Sequence, residues 1–148
     1  MAPVDELPDG AKVAFDASSI IYYVEEHEQF HAVVEPVFLK IAAQDATAHL
    51  SFVTLMEILV GPLRDRHIEL ANRYRDVLSD DIDFALHPVD RLIAERAASI
   101  RAQLRLRTPD AIVAASALES GCSHLVTNNP VFRREDGVRI LVISDFAQ

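Results

Sequence analysis

Hydrophobic and polar positions along the chain fall into two alternating textures: short apolar runs of strand length and longer stretches with helical spacing. A strand is predicted over 12–15, running into Asp16-Ala17-Ser18-Ser19, with Ser18 or Ser19 capping a helix over 20–28. A second helix covers 30–43, with Pro36 as a flaw that delays or kinks it. A strand over 47–52 follows, then a helix over 54–60 that Gly61-Pro62 ends. The stretch 64–78 places Leu70, Ala71, Tyr74, Val77 and Leu78 on one helical face, and 80–83 reads as an acidic loop. A strand over 84–89 precedes a helix over 90–104 with Ile93, Ala97, Ile100 and Leu104 in one stripe. Thr108 is the expected N-cap of the next helix, with Pro109 at its first position and Asp110 in its first turn. Ala111, Ala114, Ala115 and Ala117 give that helix almost no side-chain bulk, so it can lie close to a sheet. Strands over 123–127 and 138–143 close the chain, the former running into Asn128-Asn129-Pro130.

Strands separated by helices imply βα units and a mainly parallel sheet in an α/β fold. Residues 1–11 form a polar, proline-containing lead-in, and 12–148 form one domain, which suits a chain of 148 residues. In such sheets ligands sit beyond the carboxyl ends of the strands. The residues that follow each strand therefore carry the search for chemistry.

Composition narrows the classes. No apolar run approaches the roughly 20 residues that span a bilayer, and the acidic N-terminus does not read as a secretory signal. A single cysteine, Cys122, rules out an internal disulfide framework and points to the cytoplasm. A net charge of −9 disfavours non-specific adsorption to nucleic acid. The arginines are unevenly placed, however: Arg101, Arg105 and Arg107 precede the alanine-rich helix, and Arg133, Arg134 and Arg139 follow the last turn. Local basic patches on an acidic body are thus open to phosphate.

Three acids stand at strand ends or helix starts: Asp16, Glu57 and Asp110. Each has a structural alternative. Asp16 can make an Asx turn or cap, Thr54-Leu55-Met56-Glu57 matches a capping box, and Asp110 can simply answer the helix dipole. Together, set in apolar surroundings, they converge on one crevice, where like charges raise one another's pKa and a divalent cation removes the conflict. Oxygen donors suit Mg²⁺ or Mn²⁺. Rival chemistries lack their residues. The six histidines form no His-Glu-x-x-His pattern, Cys122 has no partner, no Gly-x-Ser-x-Gly elbow is present, and four glycines make no phosphate loop. His124 reads as a strand histidine and Cys122 as a small buried side chain.

At these residues the chain resembles the PIN-domain ribonucleases, and within them the VapC-type toxins of type II toxin–antitoxin pairs. Phe15-Asp16-Ala17-Ser18-Ser19-Ile20-Ile21 is similar to that family's first strand and acid. Ser51-Phe52-Val53-Thr54-Leu55-Met56-Glu57-Ile58-Leu59-Val60-Gly61 is similar to its second-acid motif. Asp110-Ala111-Ile112-Val113-Ala114-Ala115-Ser116-Ala117-Leu118 is the most specific match, and Thr127-Asn128-Asn129-Pro130-Val131-Phe132 resembles its closing Thr-x-Asp-x-x-Phe motif. The resemblance implies a three-layer PIN fold, with a sheet in the order 3-2-1-4-5 and helices on both faces. It also implies Mg²⁺- or Mn²⁺-dependent endonucleolytic cleavage of RNA, a homodimer, and an antitoxin whose tail blocks the site.

One position departs from the pattern: Asn129 stands where the family has a fourth acid, which leaves one-metal chemistry or a second ion recruited with the RNA. The site expected on this basis has Asp16, Asp110 and Glu57 as catalytic metal ligands, with Asn129 a weak fourth. Ser18, Thr127 and Asn128 orient those ligands, and Arg105, Arg107 and Arg133 contact phosphate or RNA. Two rival readings are a PIN-like binding module in which Asn129 marks a decayed site, and an RNA-processing PIN nuclease outside a toxin–antitoxin pair.

Overall fold

The structure, a computed structural model, describes residues 1–79 and 84–147. Five strands, β1 (Ala11–Phe15), β2 (Ala46–Ser51), β3 (Phe84–His87), β4 (His124–Thr127) and β5 (Arg139–Val142), make one sheet in the order β3-β2-β1-β4-β5. Every neighbouring pair is parallel. Six α-helices accompany it among the described residues: α1 (Ala17–Val24), α2 (His31–Ala42), α3 (Phe52–Arg64), α4 (Ile68–Val77), α5 (Arg91–Leu104) and α6 (Thr108–Glu119). The 3-2-1-4-5 order and the α/β architecture match the sequence expectation. The acidic loop expected at 80–83 lies outside the described residues.

Side-chain alternation in β1 sets the layers. Val13 and Phe15 enter one core with Ile20 of α1, Val34, Val37, Phe38 and Ile41 of α2, Ile58 of α3 and Tyr74 of α4. Ala14 faces the other core, under Ile93, Ala97 and Ile100 of α5 and Ala111, Val113, Ala114, Ala115 and Ala117 of α6. Beyond the exposed Lys12 near its start, the central strand is therefore apolar on both faces, as a buried parallel strand must be. The 1–11 stretch is less of a free lead-in than its composition suggests. Pro3 and Leu7 are buried, a 3-10 turn over Pro3–Glu6 packs on α2, Asp9 pairs with Lys40 at 2.6 Å, and Ala11 already belongs to β1.

Several element ends differ from the local signals, each for a physical reason. Helix α1 is capped by Asp16, not by Ser18 or Ser19: the Asp16 carboxylate accepts from the Ser19 N–H at 3.4 Å. Helix α3 begins earlier than expected, with Ser51 as its cap, and runs through Gly61-Pro62 to Arg64. Pro62 is buried, so packing holds a helix end that local propensity would break. Thr54 thus lies inside α3, and the capping-box alternative for Glu57 fails. Pro36 is likewise carried inside α2, where Val34, Val37, Phe38 and Ile41 are buried around it. Helix α6 starts one residue early, with Arg107 at the cap and no side-chain cap bond, so Thr108 and Pro109 occupy its first two helical positions.

Helix α6 fulfils the expectation of close packing. It touches α5, α3, β1 and β2, and Asp110, Ala111, Val113 to Ala117 are all buried. A side chain larger than alanine has no room where the helix meets the sheet. Ala114→Leu is therefore expected to destabilise the protein by about 1–3 kcal/mol through overpacking. Urea unfolding should read this as a lower midpoint at an unchanged m-value, and an unchanged midpoint would contradict the packing account.

Candidate active site

Asp16 directly follows β1, the strand from which the sheet order runs outward in both directions, β2 and β3 to one side and β4 and β5 to the other. The crevice beyond such a point is where an open α/β sheet binds ligands. The Asp16 carboxylate is 8 % exposed and is held from three directions. Thr127 Oγ1, at the end of β4, donates to Oδ2 at 2.5 Å; Ser18 Oγ donates to Oδ1 at 2.7 Å; and Ser19, through N–H and hydroxyl, lies 3.4 and 3.3 Å from Oδ1.

Two of these hydroxyls have no freedom to turn away. Thr127 Oγ1 accepts from the Asn129 N–H at 2.9 Å, and Ser18 Oγ accepts from the Asn128 N–H at 3.1 Å. Each hydroxyl proton is thereby left pointing at the carboxylate. Burial pushes the Asp16 carboxyl above its ordinary pKa, and the hydroxyls of Thr127 and Ser18 oppose that shift by stabilising the anion. Oδ2, with one accepted bond, keeps acceptor capacity for a further ligand.

Asp110, also 8 % exposed, sits in the first turn of α6 and accepts from Arg107 Nε at 3.3 Å on Oδ2. Glu57 is half-buried on α3, one turn after Thr54, whose buried Oγ1 has no hydrogen-bond partner among the described residues. Burial, then the charge of Asp110, then that of Asp16, push the Glu57 carboxyl up, while Arg107 pulls it down. The sequence expectation that these acids repel one another is thus met at Glu57. Desolvation is the largest cause at both Asp16 and Glu57, and both carboxyls lie above their ordinary values.

The donor set is all oxygen and electrostatically crowded, which fits a hard divalent cation better than a soft one. The side chains are not already drawn into a cage: among the described residues no three His, Cys, Asp or Glu side chains form a ready metal-holding group. Asp16 and Asp110 offer buried anchor points, and Glu57 is the more exposed member.

The amides behave differently from one another. Asn129 Oδ1 accepts from the Val131 N–H at 3.1 Å, capping a 3-10 turn over Pro130–Arg134. Asn128 contributes to the Asp16 network through its backbone; its side chain instead donates to Tyr22 Oη at 3.2 Å and accepts from the Ser144 N–H at 2.9 Å. Of the arginines expected at phosphate, Arg107 pairs with Asp110 and Arg133 pairs with Asp145, while Arg105 has no carboxylate partner among the described residues. Sequence reasoning missed Ser19 as an Asp16 partner, which it is through its N–H; its single hydroxyl proton goes to the nearer Val126 carbonyl at 2.6 Å. Its place in a Ser-Ser pair one turn into α1 was the available signal. His124 lies in β4 with Nδ1 2.7 Å from Ser123 Oγ, and the buried Cys122 thiol is pushed up by desolvation, away from nucleophile chemistry.

A family model described as the PIN domain matches residues 13–138. Among solved structures, VapBC2 from Rickettsia felis, bound to a DNA fragment from its promoter, is similar with a TM-score of 0.71 at 16% identity, covering 88% of this chain and 98% of that chain. A toxin–antitoxin complex from Klebsiella pneumoniae gives a TM-score of 0.65 at 24% identity, covering 88% and 96%. VapC20 of Mycobacterium tuberculosis, a toxin that cleaves the sarcin–ricin loop, gives 0.63 at 14% identity, covering 76% and 86%. At these identities the likeness is one of fold. No curated protein matches the chain by sequence. Among the described residues no helix is long and apolar enough to cross a membrane.

The raised Glu57 carboxyl has a measurable consequence. As pH rises past its ordinary value of 4.5, the unfolded chain releases this proton before the native protein does. The contribution therefore favours the native state at low pH and is lost as pH rises through the raised value. Glu57→Gln is expected to gain stability relative to the parent protein at pH 8 and to gain less at pH 4, read by urea unfolding without divalent ions. A difference independent of pH would remove the electrostatic account.

Proposed function

Because the chain belongs to the PIN domain family, we propose that it is a metal-dependent endoribonuclease, the toxin of a type II toxin–antitoxin pair, with Mg²⁺ or Mn²⁺ as its cofactor. The observation that carries this reading is the Asp16 carboxylate, nearly closed off from solvent yet held in place by hydrogen bonds from Thr127 and Ser18 at the strand end where the sheet order turns outward. Asp110 and Glu57 are close enough for their charges to act on one another. A protein that keeps such a cluster bears a cost that a bound cation offsets.

Asp16 and Asp110 would hold the ion, with Glu57 joining directly or through water. When bound, the ion supplies Lewis-acid polarisation of a phosphoryl oxygen and a more acidic water. Glu57, the most exposed of the three acids and the one whose pKa is raised by burial and by its neighbours, would take the proton from the attacking water. Arg107, once Asp110 turns to the ion, is free to meet a phosphate oxygen, and the N-terminus of α6 favours the same charge. Attack in line would leave a 3′-hydroxyl on the departing strand.

Asn129 supports a single-ion site. Its carbonyl oxygen is occupied as a turn cap and it brings no charge, so the centre rests on three carboxylates. The same feature underlies the rival reading, a PIN-like module without catalysis. A protein partner is supported by α3, where Phe52, Met56, Val60 and Leu63 form an exposed apolar stripe on the helix that carries Glu57. An antitoxin segment on that helix would reach the site, and a second copy of the chain is the other candidate for such a face. The toxin–antitoxin complexes of this fold support the former.

Full-length protein with Mn²⁺ or Mg²⁺ is expected to cleave single-stranded RNA. EDTA should abolish cleavage, and Asp16→Asn or Asp110→Asn should each reduce it by more than about 100-fold. Undiminished cleavage in both variants would sink the assignment, whereas absent cleavage together with absent Mn²⁺ binding by calorimetry would favour the module. Asn129→Asp should tighten Mn²⁺ binding on the order of 10-fold, since it adds a charged oxygen beside the centre.

A further inference from the structure

An open cleft of about 500 Å³ lies beside the turn that joins α5 to α6, lined by Ala98, Arg101, Ala102, Arg105 and Leu106. Arg101 Nε donates to the Leu106 carbonyl at 3.2 Å. From the other side Arg134 Nη1 donates to the Leu104 carbonyl, also at 3.2 Å. Arg105 stands between them at the C-cap of α5, with a left-handed backbone (φ 58°), and its side chain makes no hydrogen bond or ion pair among the described residues.

These guanidiniums differ from most others in the chain. Arg64, Arg91, Arg96, Arg107, Arg133 and Arg139 each have a carboxylate within ion-pair distance. Arg101, Arg105 and Arg134 have none among the described residues, although the chain carries a net charge of −9. A guanidinium presents five donors. Arg101 and Arg134 each spend one on the turn, which fixes the group in place and leaves the rest outward. All three are exposed.

The position relative to the carboxylates completes the case. Leu106 is four residues before Asp110, so its backbone lies within about 14 Å of that residue's. Arg134 ends the 3-10 turn that Asn129 caps. The two chain segments that lead away from the centre thus deliver their unpaired arginines to one place.

Resting on the nuclease reading above, we infer that Arg101, Arg105 and Arg134 form a cradle for the phosphodiester backbone of single-stranded RNA, a few nucleotides from the bond that is cut. The ligand is a chain of regularly repeated anions, which several separate forks can hold at once, whereas a lone anion would engage one. The net charge of −9 disfavours polyanions on the body as a whole, so the cradle sets where the strand enters as well as how tightly it binds. It extends the contact set suggested by sequence position: Arg133 is tied to Asp145 and Arg107 stands at the carboxylates, while Arg101 and Arg134 join Arg105 in the cradle.

The test is binding of a labelled single-stranded oligouridylate by the full chain in EDTA, where no cleavage intervenes, across a salt series. Arg105→Glu, which removes no bond of the fold, is expected to weaken binding about 10-fold or more. Arg101→Gln/Arg105→Gln/Arg134→Gln should flatten the plot of log affinity against log salt by about 1.4 if two phosphate contacts are released. Hydrolysis of bis(p-nitrophenyl) phosphate by the parent protein with Mn²⁺ reads the carboxylate centre separately from RNA binding. Unchanged oligouridylate affinity and slope in both variants would overturn the proposal. So would a loss confined to an acidic peptide such as oligoglutamate, which would make the cleft a protein site. If the variants lose RNA binding while the parent protein cleaves neither RNA nor the small diester, the cradle stands and the nuclease reading falls.

Discussion

The hydrogen bond from Thr127 to Asp16 ties the end of β4 to the end of β1 where the sheet order turns outward to both sides. Much of the site depends on that link. Thr127 can donate there because the Asn129 N–H occupies its oxygen, and Ser18 is held in the same manner by the Asn128 N–H. The backbone of one turn therefore dictates the direction of two hydroxyl protons and, through them, where an anion must be. Burial still wins at Asp16, whose pKa is raised. The network does not make the carboxylate comfortable; it fixes its position while leaving it in need of positive charge. That combination goes beyond what a helix cap needs, and it is the basis of the metal-binding role proposed for Asp16.

Helix α6 supplies the second fixed point by a different route. It has no side-chain cap, and its hold on position comes from small residues packed between α5 and the sheet. Asp110 in its first turn inherits that rigidity. Glu57 stands on α3, with an apolar stripe open to solvent on the same helix, and so belongs to the more adjustable part of the centre. Two buried acids, Asp16 and Asp110, thus stand on closely packed supports, and Glu57 is the half-exposed third.

The parallel sheet and its helices were legible because periodicity reports burial, and burial decides both. Asp16, Glu57 and Asp110 were legible because they interrupt apolar runs at strand ends and helix starts. The bounds of α3 were not. Gly61-Pro62 is a local breaker, and only the buried contacts of Pro62 and its neighbours show why the helix continues. The cap of α1 stayed open between Asp16 and the two serines because serine and aspartate are equally good caps, and the partner that holds the Asp16 carboxylate, Thr127, is 111 positions away. The arginines were the least legible. Whether one is available to a ligand depends on which acid lies across space: Asp145 claims Arg133, while Arg134, next in sequence, turns to a backbone carbonyl.

Asn129 shows how fold and chemistry can part at a single position. As a turn cap it needs one oxygen to accept from the Val131 N–H, and an amide supplies that as well as a carboxylate does. The turn, and with it the Asn129 N–H that orients Thr127, is indifferent to the missing charge. A centre that shed a fourth acid elsewhere, by changing Asp16 for instance, would lose its hydroxyl network as well. Here the charge is absent and the framework around Asp16 is complete. Asn129 can therefore differ from a carboxylate in charge without disturbing the hydrogen bonds that position Asp16.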